Sequence, residues 1–119
     1  MADFLKGREA AIQLVASLAD EGLAISIITY GELYEGVLKS AAREERREQL
    51  NELTERLDVI GIDLETAQTF GENRARLRRE GNPIPDHDLW IAATAVRHDL
   101  TLITRDQHFE RIPNLKRHR

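Results

Sequence analysis

The sequence contains no cysteine, few aromatic residues and no long apolar run. Without cysteine the chain can form no disulfide, no thiolate zinc site and no cysteine nucleophile, which fits a reducing compartment such as the cytoplasm. No stretch of about 18 apolar residues is present, so we expect no membrane span. Aromatic residues make up only 5% of the chain, so Leu, Ile, Val and Ala must fill the core.

A net positive charge is also missing, because 17 Lys and Arg stand against 21 Asp and Glu, a formal net charge of −4. A protein that binds nucleic acid independently of sequence is normally basic, so the net charge of this chain does not indicate nucleic-acid binding. The arginines are nevertheless clustered at positions 43–47 and 74–79, with a basic tail at 111–119. Each cluster taken alone is most simply a solvated helix face or tail. The 119 residues suit one globular domain.

Short apolar runs alternate with helical patterns along the chain. Apolar runs at 23–28, 59–62 and 100–104 predict buried strands, and the last residues are expected to fray or to form an edge strand. Helical periodicity and capping residues predict helices at 8–20, 29–40, 43–57, 64–80 and 86–98. This alternation predicts an α/β fold, with a parallel sheet and helices packed on it.

Three carboxylates are expected at one edge of that sheet. In parallel-sheet folds the site lies outside the carboxyl ends of the strands. Glu32 follows the first predicted strand, Asp106 follows the strand at 100–104, and Asp88 lies in the first turn of an almost wholly apolar helix. Mg²⁺ and Mn²⁺ prefer oxygen ligands, so the pattern predicts a site for one of these ions. A cation held in this way favours phosphodiester hydrolysis.

Each acid also has a purely structural interpretation. Glu32 completes a capping-box pattern, Thr-x-x-Glu, with Thr29. Asp86 is most simply the N-cap of its helix, and Asp88 alternatively stabilises the positive end of the helix dipole. Asp106 could be an ordinary turn residue. Singly these alternatives compete with a functional role, but the convergence of the acids on one edge favours function.

Two segments resemble the PIN domain of VapC-type toxins from bacterial and archaeal toxin–antitoxin pairs: ISIITYGELYEG and GNPIPDHDLWIAATAVRHDLTLITRDQHFERIPNL. The resemblance covers nearly the whole chain. It implies a three-layer α/β/α fold with a short parallel sheet and an endoribonuclease dependent on Mg²⁺ or Mn²⁺. It also implies an RNA substrate, a small VapB-like antitoxin as inhibitor, a homodimer and a cytoplasmic location.

Carried over by position, the resemblance assigns catalytic and metal-binding roles to Glu32, Asp88 and Asp106. Thr104 resembles a residue that helps to order such a site. The neighbouring Arg105 and the helix-heading Asp86 are further candidates for supporting residues. All of these positions lie in the two segments quoted above.

The chain departs from the family at its first residues. The family opens with a strand that ends in Asp-Thr or Asp-Ser, whereas ADFLKGRE resembles the segment just after it, and Asp3 falls several residues too late. We therefore expect residues 1–119 to form a single, N-terminally truncated domain without the first strand and first aspartate. A gene start assigned too late, a degenerate remnant, and a strand from another chain or a differently closed sheet all explain this.

The missing aspartate leaves other functions open. One alternative is a catalytically inactive PIN-like module, which binds an antitoxin or dimerises without cleaving RNA. A DNA-directed or flap-type nuclease is a further alternative, which the short chain disfavours.

Overall fold

The computed structural model of the chain describes residues 3–5, 24–103 and 107–118, with side chains described at 24–102 and 109–117. The helix predicted at 8–20 lies outside the described residues. The strands are β1 (Asp3–Leu5), β2 (Ala24–Ser26), β3 (Asp58–Ile60), β4 (Thr101–Ile103) and β5 (Lys116–His118). The helices are α1 (Ile27–Lys39), α2 (Arg43–Arg56), α3 (Leu64–Arg79) and α4 (Asp86–Arg97), with a 3-10 helix at Gln107–Arg111.

The five described strands form one parallel sheet in the order β3-β2-β1-β4-β5. In the centre, Asp3 lies opposite Thr101 of β4 and Leu5 lies opposite Ile103, while Phe4 faces Ala24 of β2. The expectation that the first strand is absent is therefore wrong, because β1 occupies the central position. A strand of three residues is too short to show the alternation by which strands are predicted.

Both faces of the sheet are covered by helices. Successive residues of a strand point to opposite faces, and Ala24 and Ile25 accordingly belong to two different apolar clusters. Ala24 packs with residues of α3, α4 and β4, among them Leu77, Ile91 and Leu102. Ile25 packs with residues of α1 and α2, namely Leu33, Val37, Leu50 and Leu53. The expected three-layer α/β/α architecture is confirmed.

The two ends of α3 lie close to the positions that the sequence predicts. Asp63 is the N-cap, since its Oδ1 accepts from the Thr66 amide at 2.8 Å and from the Thr66 hydroxyl at 2.7 Å. Gly81 follows the helix with φ +75°, and the Asn82 amide donates to the Leu77 carbonyl at 2.9 Å. This is the Schellman pattern, whose left-handed residue favours glycine.

Helix α4 is buried along most of its length, as its apolar sequence predicts. Its buried residues are Asp88, Leu89, Ile91, Ala92, Ala93, Thr94 and Ala95. The rings of Trp90 and Phe70 stack with centroids 3.8 Å apart, which joins α4 to α3. Trp90 therefore belongs to the packing between helices. Within the described part of the chain, no helix has the length and apolar character needed to cross a membrane.

Candidate active site

Two helices present their first turns at the carboxyl edge of the sheet. Helix α1 follows β2 without a break, so it starts where β2 ends. Helix α4 leads into β4 through the short turn at 98–100, so it runs against the strand direction and begins at the carboxyl edge. The two helices contact each other. The fold thus brings the starts of α1 and α4, with Glu32 and Asp88, to the same carboxyl edge of the sheet, from its two opposite faces.

The start of α1 differs from the prediction, and this changes the interpretation of Glu32. The N-cap is Ser26, whose Oγ accepts from the Thr29 amide at 2.9 Å and donates to the Thr29 hydroxyl at 3.1 Å. Both residues are fully buried. Glu32 therefore lies in the second turn of the helix, too far along to complete a capping box with Thr29, so that interpretation is wrong.

Ser26 and Thr29 position Glu32 without contributing a carboxylate, a role that the expected helix start at residue 29 does not reveal. Their hydrogen bonds fix the point at which β2 turns into α1, and so they set the helical position of Glu32. The available signal was Ser26 itself, a favoured N-cap residue three positions before a second hydroxyl. The apolar run at 23–28 concealed it, because the run predicts a strand that continues past Ser26.

Asp88 is the most deeply buried carboxylate of the described chain, with 3% of its side chain exposed. Its Oδ1 is shielded from solvent and lies 3.3 Å from Nε2 of the half-buried His87. The Oε1 atom of Glu32 is shielded as well. Ionised carboxylates are costly to bury, and the positive end of the α4 dipole offsets part of that cost at Asp88.

Asp86 has a different environment, although it lies only two residues before Asp88. The N-cap position of α4 belongs to Pro85, which makes no side-chain capping bond, so the predicted capping role of Asp86 is wrong. The exposed Asp86 side chain instead accepts from Arg74, with Nε to Oδ1 at 2.8 Å. This hydrogen bond, helped by the charges of Arg74 and Arg78, lowers the pKa of the Asp86 carboxyl. Asp86 therefore ties α4 to α3.

The remaining candidates, Thr104, Arg105 and Asp106, lie outside the described residues and stay sequence predictions. Strand β4 ends at Ile103, so these positions follow directly on a strand end. Strand β1 offers no replacement for the family's first aspartate, because it starts with Asp3 and ends with Leu5 at the carboxyl edge. Among the described residues, no three histidine, aspartate or glutamate side chains form a metal-binding group.

The donors at this edge are nevertheless of the kind that a hard divalent cation binds. Glu32 and Asp88 both supply carboxylate oxygens, and each has one oxygen withdrawn from solvent. Mg²⁺ and Mn²⁺ are held through one or two carboxylates while keeping several water ligands. Two protein carboxylates are therefore a chemically adequate partial ligand set.

Comparison with known proteins identifies the class. The sequence model of the PIN domain matches residues 1–115. The chain belongs to the PIN domain family. It is 37% identical to Ribonuclease VapC2 of Rickettsia felis over 94 aligned residues. These residues make up 78% of this chain and 70% of that protein. It is 36% identical over 95 residues to the tRNA(fMet)-specific endonuclease VapC of Salmonella typhimurium, covering 79% and 72% respectively.

Solved structures agree with this assignment. The VapBC2 complex of Rickettsia felis, bound to a DNA fragment from its promoter, matches with a TM-score of 0.83 and 32% identity, over 99% of this chain and 98% of that one. VapBC-1 from nontypeable Haemophilus influenzae matches with a TM-score of 0.84 and 28% identity, over 99% and 97%. The expected resemblance to VapC-type PIN domains is confirmed.

Proposed function

We propose that this chain is an endoribonuclease and the toxin of a type II toxin–antitoxin pair. The observation that carries the proposal is the buried carboxylate of Asp88, at the head of α4, in a chain whose relatives are VapC ribonucleases. A carboxylate buried at the first turn of an apolar helix, at the carboxyl edge of a parallel sheet, is the kind of group that a nuclease site uses to bind a cation.

In this proposal Glu32, Asp88 and Asp106 would hold Mg²⁺ or Mn²⁺. The bound ion supplies charge stabilisation to the phosphodiester and lowers the pKa of a bound water. The role of the chain is to orient these carboxylates. The buried surface of α4 fixes the Asp88 backbone, and the capped start of α1 fixes that of Glu32. Thr104 and Arg105 are proposed supporting positions.

The test compares RNA cleavage by the wild type with that by Asp88→Asn. Replacing a ligand carboxylate by a neutral amide of the same size should lower the cleavage rate on the order of 100-fold or more in Mn²⁺. The matched control is Asp99→Asn, the same change at the opposite end of α4. Asp99 has φ 55°, which asparagine also adopts, so the fold is retained. Equal cleavage by wild type and Asp88→Asn would refute the catalytic role.

The partner that we propose is a small VapB-like antitoxin, because the similar solved structures are VapBC complexes. We also propose that the chain dimerises, as the resemblance implies. Co-expression with the product of an adjacent small open reading frame, followed by light scattering, measures both properties. A monomeric chain that does not retain this product would contradict both parts.

A specific observation favours one alternative, a module that binds its antitoxin without cleaving RNA. The carboxyl end of β1 carries Leu5 where the family has an acid, and loss of one ligand weakens a carboxylate metal site. Calorimetric titration with Mn²⁺ separates the two functions. Saturable binding that Asp88→Asn abolishes supports the nuclease, whereas absence of binding in a folded wild-type chain supports the inactive module.

A further inference from the structure

The arginine cluster near the end of α3 is divided by the structure into two parts. Arg74 donates to Asp86, and Arg76 donates to the Arg111 carbonyl at 2.7 Å and contacts Glu80 at 3.3 Å. Both side chains are thereby engaged in hydrogen bonds and ion pairs within the protein. Arg78 and Arg79 are exposed, and their side chains form no ion pair or hydrogen bond with any other described residue. These two residues are referred to as the α3 arginine pair.

The arginine pair lies beside the candidate active site. The Arg74–Asp86 bond holds the last turns of α3 against the first turn of α4, and Asp86 is two residues from Asp88. Arg78 lies four residues after Arg74 in the same helix, so it is on the same face of α3 one turn further along. Asp86 and Glu80 are each bound by another arginine. Exposed positive charge therefore remains here in a chain whose formal net charge is −4.

The other described arginine cluster has no such surplus. Arg43 donates to the Leu38 carbonyl at 2.8 Å, Arg46 donates to Gln49 at 3.0 Å, and Arg47 donates to the Tyr34 hydroxyl at 3.1 Å. Glutamates at 44, 45 and 48 are interleaved with these arginines. This cluster thus has the solvated, internally satisfied character that the sequence suggests, and it provides a matched control.

We propose that Arg78 and Arg79 bind the phosphate backbone of the RNA substrate next to the site of cleavage; this inference rests on the proposed ribonuclease function. A site lined by carboxylates repels a polyanion, so an adjacent cationic surface is needed to hold the strand. Guanidinium groups match phosphate oxygens in geometry and charge. Contacts of this kind position the strand without reading its sequence, so they act on every RNA alike.

The test measures binding of a short fluorescein-labelled single-stranded RNA by anisotropy in EDTA, which removes the divalent cation that the proposed cleavage requires. Kd is determined over a series of salt concentrations for the wild type, Arg78→Gln/Arg79→Gln and Arg43→Gln/Arg46→Gln. Both double variants remove two positive charges. Each lost phosphate contact should flatten the plot of log K against log salt by about 0.7, so Arg78→Gln/Arg79→Gln should flatten it by about 1.4. The Arg43→Gln/Arg46→Gln variant should keep the wild-type slope.

Three results would overturn the proposal: a wild type that does not bind RNA, equal losses in the two double variants, or an unchanged slope in Arg78→Gln/Arg79→Gln. Thermal unfolding checks that both double variants keep the fold, including the control, in which Arg46 is half-buried. Failure of the ribonuclease function is recognised separately. If RNA binding depends on the α3 arginine pair but the wild type does not cleave RNA in Mn²⁺, the RNA-binding role of the pair is supported and the ribonuclease function is refuted.

Discussion

At the residue scale, the two acids that head α4 have separate environments. One residue of a helix turns the side-chain direction by about 100°, so two residues two positions apart face different surroundings. Asp88 is turned into the protein, whereas Asp86 reaches the exposed end of α3 and pairs with Arg74. The sequence indicates two acids in one turn. The different environments of the two acids depend on the start of the helix. Pro85 is the N-cap, so the helix starts one residue earlier than it would with Asp86 as the N-cap.

Asp63 provides a prediction at this scale. Asp63→Ala removes the acceptor for the Thr66 amide and hydroxyl and the partner of Arg97, whose Nε lies 3.1 Å from Oδ2. The melting temperature at neutral pH should fall by a few degrees. Glu72→Ala, on the exposed face of the same helix, should leave it nearly unchanged.

The Asp63 effect should depend on pH in a defined direction. The bonds from Thr66 lower the Asp63 pKa below its ordinary value of 3.8. Because its pKa is lower in the folded than in the unfolded state, the Asp63 carboxylate contributes its full stabilisation above pH 3.8. This contribution is lost as the pH falls through the pKa of the folded state. Thermal unfolding monitored by circular dichroism should therefore show the difference between wild type and Asp63→Ala narrowing below pH 3.8. A constant difference would contradict the assignment.

At the element scale, the sequence predicts helices better than strands. The sequence predicts the start of helix α3 correctly and its end to within one residue, because Asp63 and Gly81 are strong local signals. The strands span three residues each, so their ends and even the existence of β1 depend on neighbours that are distant in sequence. The candidate site is equally hard to predict from local sequence. The contact between α1 and α4 depends on the order of the strands in the sheet, which no local pattern indicates.

Two glycines of α3 should respond in opposite ways to the same substitution. Gly71 lies within the helix, and an added Cβ meets no atom within 4 Å, so Gly71→Ala should stabilise the protein by about 0.5–1 kcal/mol. Gly81 follows the helix with φ +75°, where alanine is strained, so Gly81→Ala should destabilise by about 1 kcal/mol. Urea denaturation measures both changes. Shifts of the same sign in the two variants would contradict the helix end described above.

At the scale of the whole molecule, β1 joins the two halves of the sheet. It lies between β2 and β4, so there is a strand on each side of it. The backbone N–H of Phe4 therefore has a neighbouring strand as its acceptor, whichever of the two it points to. The sequence pattern predicts a parallel sheet but not its central strand, because the order of strands is a property of the complete fold. The same holds for the separation of the core into two clusters on either side of the sheet.

Removal of this amide should destabilise the whole protein. Phe4→Pro leaves an acceptor in the centre of the sheet unsatisfied, which costs about 1–3 kcal/mol, and proline is excluded from central strands. Phe4→Val keeps the donor and should lose less stability. Denaturant unfolding followed by both far-ultraviolet dichroism and Trp90 fluorescence should show one coincident, earlier transition. A Phe4→Pro variant as stable as Phe4→Val would argue against β1 as a central strand.

The pairing of β1 with β4 has a consequence for the synthesis of the protein. Asp3 is paired with Thr101, so the two strands meet across almost the full length of the chain. Closing so long a loop is slow, and it cannot occur on the ribosome until residues near 103 have emerged. An incomplete nascent chain therefore cannot close the centre of the sheet, on which the relative positions of α1 and α4 depend. The carboxylate edge should therefore assemble only after β4 has emerged from the ribosome.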